Sequence, residues 1–340
     1  MLNPPVRARR VRVQLTALAL GLCAAIAGCT SAGDADGAVA PSRGLVEQAA
    51  LRVGVLPIVD AAPLQRAQSA GYFADEGLTV ELVPVQGGAV AVPQLVSGEL
   101  DLTFSNWPSL LLAQANGEGD FRFVSAGYNA APNTFLVMTA PGSSVRRPED
   151  LAGKRIAINT FKGIVELISR SALQTIGVDA NAVQFVSMPF PDMLPALERN
   201  EIDAAVMVEP FITQAATEFG AISVLDAASG PTDGIPLAGV ATTAEFVQQK
   251  PHTVAAVQRA LDRAQADLSD RSVVEQTLPT YSSITTETAV LLNLGTWPTT
   301  LDATRLQRVA DLMREFGVLT APLDVRPLIQ PPPVPAEPLR

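Results

Sequence analysis

The chain has 340 residues, of which 48% are hydrophobic and 17% charged, and its formal net charge is -10. That is longer than one hydrophobic core readily fills and too apolar for a disordered or coiled-coil protein, so two compact lobes are expected. So acidic a balance excludes a nucleic-acid partner and offers nothing to an anionic membrane surface.

Residues 1–28 read as a targeting segment rather than as fold. Arg7, Arg9, Arg10 and Arg12 form a basic start with no acid among them, followed by an apolar stretch from Val13 to Ile26. The stretch is short of the roughly 20 residues of a spanning helix. It ends in Ile26-Ala27-Gly28-Cys29, which looks like a lipobox, with Cys29 the residue to be acylated. Without residues 1–28 the chain carries 20 basic against 34 acidic residues, a net of -14. Residues 29–50 are small and polar and read as a flexible tether. A body held outside the cytoplasmic membrane follows, at the cell surface or in a periplasm. Cys23 and Cys29 are the only cysteines and His252 the only histidine. Disulfide frameworks, His/Cys zinc sites and a cysteine nucleophile are thereby excluded, and neither metal nor cofactor is expected.

From Leu51 strand and helix signals alternate. Arg52–Leu56 reads as a strand, Ala62–Ala70 as a helix stopped by Gly71, and Leu78–Val85 as a second strand. Gly87-Gly88 opens a helix that starts near Ala89 or Val90 and closes at Gly98; Pro93 belongs near its start. Strands follow at Asp101–Ser105, Phe121–Tyr128, Thr134–Thr139, Arg155–Asn159, Val183–Met188, Ala204–Val208 and Ile222–Leu225, with helices after most of them. Such a repeat predicts mostly parallel sheets covered on both faces. Beyond Gly239 the pattern is helical. Val254, Val257, Leu261, Ala264 and Leu268 mark one buried stripe, and Leu306, Val309, Met313 and Phe316 another. Residues 331–340 are a Pro-rich tail.

One arrangement recurs: a strand ends, a few polar residues follow, and a helix begins at once. It occurs at Gln86-Gly87-Gly88, Ser105-Asn106-Trp107-Pro108, Asn159-Thr160-Phe161-Lys162-Gly163, Met188-Pro189-Phe190-Pro191 and Glu209-Pro210-Phe211. Helix N-termini then point their unpaired N–H groups beyond the carboxyl ends of the strands, where open α/β sheets bind ligands. The side chains at these steps give a polar pocket with an aromatic wall.

Four segments carry a family resemblance: LRVGVLPIVDAAPLQRAQSAGYFADEGLTVELVPVQGG (51–88), LVSGELDLTFSNWPSLLLAQANG (95–117), SVRRPEDLAGKRIAINT (144–160) and MLPALERNEIDAAVMVEPF (193–211). Together they resemble the substrate-binding proteins of ABC importers, in the nitrate/sulfonate/taurine and thiamine-pyrimidine-precursor branch. The resemblance implies a type II periplasmic-binding-protein fold, in which two doubly wound α/β lobes joined by two crossing segments close over a small molecule. It implies lobe 1 at 51–137 plus 240–330 and lobe 2 at 142–235, with joins near 139–142 and 235–240. It also implies a monomer that serves an importer permease. Asp60, Gly87, Gly88, Ser105, Asn106, Asn159, Thr160 and Glu209 align with cleft positions of that family, and Trp107, Phe161 and Phe190 are their aromatic neighbours, with Tyr128 a further one. Asp60 and Glu209 each have a competing role as a helix cap, and Lys162 either meets an anion or faces solvent. The rival reading is an enzyme on the same fold, acting on a small pyrimidine or organosulfur compound through cleft carboxylates. The lone histidine after Pro251 and the missing thiols weigh against it.

Overall fold

The computed structural model describes residues 45–282 and 284–333. Ten strands form two five-stranded sheets. In chain order they are β1 (Ala50–Val55), β2 (Thr79–Pro84), β3 (Leu102–Asn106), β4 (Phe121–Asn129), β5 (Phe135–Thr139), β6 (Arg155–Ile158), β7 (Gln184–Ser187), β8 (Ala204–Val208), β9 (Ile222–Asp226) and β10 (Pro236–Thr243). The first sheet runs β2-β1-β3-β10-β4 and the second β7-β6-β8-β5-β9. Helices flank both, which gives two α/β lobes of the type II periplasmic-binding-protein fold.

The sheets are mixed rather than mostly parallel. Pairs β1–β2, β1–β3, β6–β7 and β6–β8 are parallel, as local strand–helix–strand units require. All four antiparallel pairs contain β5 or β10. These two strands are the first that the chain makes after passing from one sheet to the other, so they enter against the local direction. The crossings lie between Asn129 and Phe135 and between Asp226 and Pro236. The first is earlier in the chain than the join expected near 139–142, and β5 accordingly sits wholly in the second sheet; the second runs up to the join expected near 235–240.

Burial follows position in the sheet. Strands β5 and β8, inside the second sheet, are buried at every residue, whereas β2, at the edge of the first, exposes Thr79, Glu81 and Pro84. The helix Pro251–Asp267 buries its predicted stripe against the helix Ala62–Ser69. Arg66 reaches Asp267 at 2.7 Å across that seam, and Arg259 reaches Glu76, just after the next short helix Tyr72–Asp75, at 2.7 Å. The helix Gly88–Val96 carries Pro93 in its interior, past its first turn.

The expected tether ends sooner than residue 50. The Glu47 carboxylate accepts from the backbone N–H groups of His252 and Thr253, which closes the start of Pro251–Asp267, and Ala50 already belongs to β1. At the other end Gln330 donates to the Phe123 carbonyl at 2.9 Å and the Pro331 carbonyl accepts from Gln258 at 3.1 Å. The Pro-rich segment is thus tied down where it starts. Cys29 and residues 334–340 lie outside the described residues. Among the described residues no helix is long and apolar enough to cross a membrane.

Candidate functional site

The carboxyl ends of β1 and β3 in the first sheet face those of β6 and β8 in the second, and the space between them holds two connected features. The inner one is a cavity of about 30 Å³ walled by Asp60, Asn106, Asn159 and Phe190, with Phe104 and Phe135 among its apolar faces. The outer one, about 280 Å³, is lined by Gly87, Val90, Asn159, Thr160, Phe161 and Met188 among others. Asn159 lines both and marks the passage between them.

Asp60 sits in a 3-10 turn, Val59–Ala61, between β1 and the helix Ala62–Ser69, and its side chain caps neither. It is 5% exposed. Among the described residues its carboxylate meets its own backbone N–H and no other hydrogen-bond donor, and burial pushes its pKa up to about 7. An apolar wall without a cation leaves the charged form unsupported. The turn is held from behind: Trp297 Nε1 donates to the Asp60 carbonyl at 3.3 Å and the Tyr281 hydroxyl to the Ile58 carbonyl at 3.2 Å.

Across the cavity the twelve-residue helix Ile164–Thr175 begins, and its first two residues, Ile164 and Val165, form part of the wall. The first-turn N–H groups of a helix have no intrahelical acceptor and carry partial positive charge. The inner cavity therefore presents an acceptor on one side, Asp60, and donors on the other.

Other predicted residues have different surroundings. Asn106 spends its side-chain oxygen on the Ser109 N–H at 3.0 Å, capping the helix Trp107–Ala115, so it offers the cavity only its amide nitrogen. Ser105 is fully buried, and Gly88 packs so closely on Ser105 and Ser109 that a β-carbon there would stand 2.5–2.6 Å from them. These two residues support the loop and line neither feature. Gly87 does face across: a β-carbon on it would stand 2.7 Å from Thr160 Oγ1 on the opposite lobe. Phe161 is 54% exposed at the mouth. Lys162 is exposed, and its backbone N–H, not its ammonium, is engaged, donating to Glu166 at 2.7 Å.

Two more predicted residues are engaged by the protein itself, Trp107 in packing and Glu209 in the capping role that was its alternative. Trp107 is buried against Phe123, with ring centroids 4.8 Å apart, and lines a separate cavity instead of the inner cleft. The Gly239 backbone lies under its ring, where any β-carbon would collide at 2.3 Å. Glu209, 2% exposed, is occupied by protein donors: Thr213 N at 3.1 Å, Thr213 Oγ1 at 3.0 Å and Asn293 N at 3.1 Å. It closes the start of the short helix Phe211–Gln214 and ties the second lobe to a segment of the first. The Val59 N–H adds a second tie by donating to the Glu209 carbonyl at 3.2 Å. Phe190 stacks on Phe211 at 5.8 Å and 15°, which braces the cavity wall.

Comparison with known proteins bears on this geometry. The family model described as NMT1/THI5 like matches residues 59–271. The taurine-binding periplasmic protein of Escherichia coli (strain K12) is 30% identical over 172 residues, 48% of this chain and 50% of that protein. The chain thus aligns with about half the length of this curated relative. Among solved structures, the alkanesulfonate-binding protein of Xanthomonas axonopodis pv. citri, bound to MOPS, superposes with a TM-score of 0.71 at 20% identity, covering 84% of this chain and 99% of that one. The periplasmic nitrate-binding protein of Synechocystis PCC 6803 gives 0.71 at 16% identity, covering 83% and 85%.

Proposed function

The chain belongs to the NMT1/THI5-like family, and on that premise we propose that it is the extracytoplasmic solute-binding receptor of an ABC importer. It captures a small polar molecule in the cleft between its sheets and delivers it, unchanged, to a permease. The lobes close over the ligand by motion at the two crossing segments. The Ile26-Ala27-Gly28-Cys29 motif supports anchoring through acylated Cys29, and Cys29→Ala, which removes the only site for the lipid, should leave a soluble or unprocessed form.

The observation that carries the reading is Asp60, a buried carboxylate that faces the cavity with no partner beyond its own N–H. Paired with the helix start at Ile164, it favours a ligand with a hydrogen-bond donor at one end and an acceptor at the other. An aminosulfonate of the taurine kind or an amino-substituted pyrimidine precursor has both. Nitrate and a simple alkanesulfonate have no donor for the Asp60 carboxylate and can meet this residue only in its protonated form. The outer feature, with Val90, Phe161 and Met188, accommodates the rest of a longer molecule.

Calorimetry with taurine, an aminopyrimidine, an unsubstituted alkanesulfonate and nitrate tests this. Donor-bearing ligands should bind and be recovered intact, and Asp60→Asn should weaken them by about ten- to a hundredfold. Tighter binding of nitrate than of any amine-bearing compound would reverse the assignment of the ligand. Conversion of the ligand, lost in Asp60→Asn, would establish an enzyme instead.

A further inference from the structure

A second hollow beside the first sheet lies outside the cleft. This cavity, of about 210 Å³, lies between β4, β10 and the start of the helix Ala303–Glu315. Ala238 belongs to both walls, so one strand stands between them.

Its lining holds, beside one carboxylate, Asp302, donors that the protein leaves unused. Trp107 is 1% exposed and its Nε1 meets no acceptor. Burying an indole N–H without a partner is unfavourable, and such groups usually find one. Asn129 is 9% exposed, and only its backbone is paired, with Thr296. Arg305 stands in the same lining, 52% exposed. Its nominal partner Asp302 gives Oδ1 to the backbone N–H groups of Thr304 and Arg305, and its other oxygen is 3.9 Å from Arg305 Nε. The one remaining contact of the guanidinium is a long bond of 3.4 Å to the Gly234 carbonyl. Leu301 and Leu306 supply apolar surface.

We propose that this cavity is a second ligand site, distinct from the cleft, for a small organic carboxylate with an apolar body. A carboxylate supplies the acceptors that the indole N–H, the Asn129 amide and the guanidinium lack, and Arg305 gives it a charge-assisted bond. The apolar body packs on Leu301 and Leu306. The site adjoins the second crossing: Pro236, the first residue of β10, lines it, and Arg305 and Arg308 both donate to carbonyls of the segment before it, Gly234 and Pro231. Occupancy would draw Arg305 away from Gly234.

The chain has two tryptophans, Trp107 and Trp297, so its indole N–H region in a proton–nitrogen correlation spectrum holds two signals, and Trp297→Phe assigns them. Benzoate and propionate, titrated into the full chain to about 10 mM, should move the Trp107 signal saturably with at least one of the two. Arg305→Gln, at an exposed position, should weaken that response by about tenfold, and Asp60→Asn should leave it unchanged. A Trp107 signal that neither acid moves would overturn the proposal. So would a response that Asp60→Asn abolishes, which would place the acid in the cleft, or one that Arg305→Gln leaves intact.

Discussion

Asp60 and Glu209 are buried carboxylates of different lobes, Asp60 after β1 of the first sheet and Glu209 after β8 of the second. Each follows the carboxyl end of a strand, each is almost completely buried, and burial raises the pKa of each. They differ in what meets the carboxylate. Glu209 accepts three hydrogen bonds, two from Thr213 and one from Asn293. Asp60 has only its own N–H. A buried acid whose donors are all supplied by the fold belongs to the fold. One left unsupplied is held ready for a donor from outside, and stability is spent to keep it so.

Breaking Glu209 should give the largest effect on stability. Glu209→Ala leaves the Thr213 N–H and hydroxyl and the Asn293 N–H without an acceptor, at a cost of about 3–5 kcal/mol in urea unfolding. Glu209→Gln keeps an oxygen for two of them and should cost about a third as much. A Glu209→Ala protein as stable as the parent would remove the distinction between the two acids.

Asp60 should act with the opposite sign. Its pKa rises from 3.8 in the unfolded chain to about 7 when folded. Between these values the folded state holds a proton that the unfolded state has released, so stability falls as pH rises from about 4 to 7, by up to about 4 kcal/mol. Glu209 is raised as well and adds a fall of the same sign. Asp60→Asn should flatten most of the slope and stabilise the protein above neutral pH, while it weakens ligand. Unfolding midpoints across that range check it. Unchanged slope in Asp60→Asn would mean that the carboxylate has a partner after all.

Much of this was legible in the sequence because local rules govern it. The strand–helix alternation, Gly71 and Gly98 in left-handed conformations at helix ends, and the stripes at Val254–Leu268 and Leu306–Met313 depend on periodicity and on backbone sterics. Strand direction in β5 and β10 was not legible, because it depends on which sheet the chain has just left. Trp107 was expected in the cleft because it follows a strand end. Its ring turns instead onto Gly239, a neighbour 132 positions away whose missing side chain makes the room. Phe104, Phe135, Val208 and Ala238 were missed as walls of the inner cavity because an apolar strand end reads as core whether it faces a helix or a hollow. Glu209 carried both readings in the sequence, and only the position of Asn293, brought by a distant segment, separates them.

The smallest expected effect concerns how closely the lobes approach. Gly87 has an extended backbone, φ 164° and ψ 171°, which any residue adopts, so its lack of a side chain is not a conformational requirement. The requirement lies across the cleft, where a β-carbon would come within 2.7 Å of Thr160 Oγ1, closer than real β-carbons approach. On the proposed closing motion, Gly87→Ala should therefore leave unfolding of the unliganded protein nearly unchanged and should weaken ligand only a few-fold, by about 0.5–1 kcal/mol. Thr160→Ala removes the oxygen that the new methyl group would strike. The double variant should recover most of the lost affinity, and a calorimetric double-mutant cycle measures that recovery directly. Additive losses would mean that Gly87 and Thr160 do not meet when ligand is bound. The contrast between Asp60, proposed to meet a ligand, and Glu209, which ties the lobes together, would then rest on those two carboxylates alone.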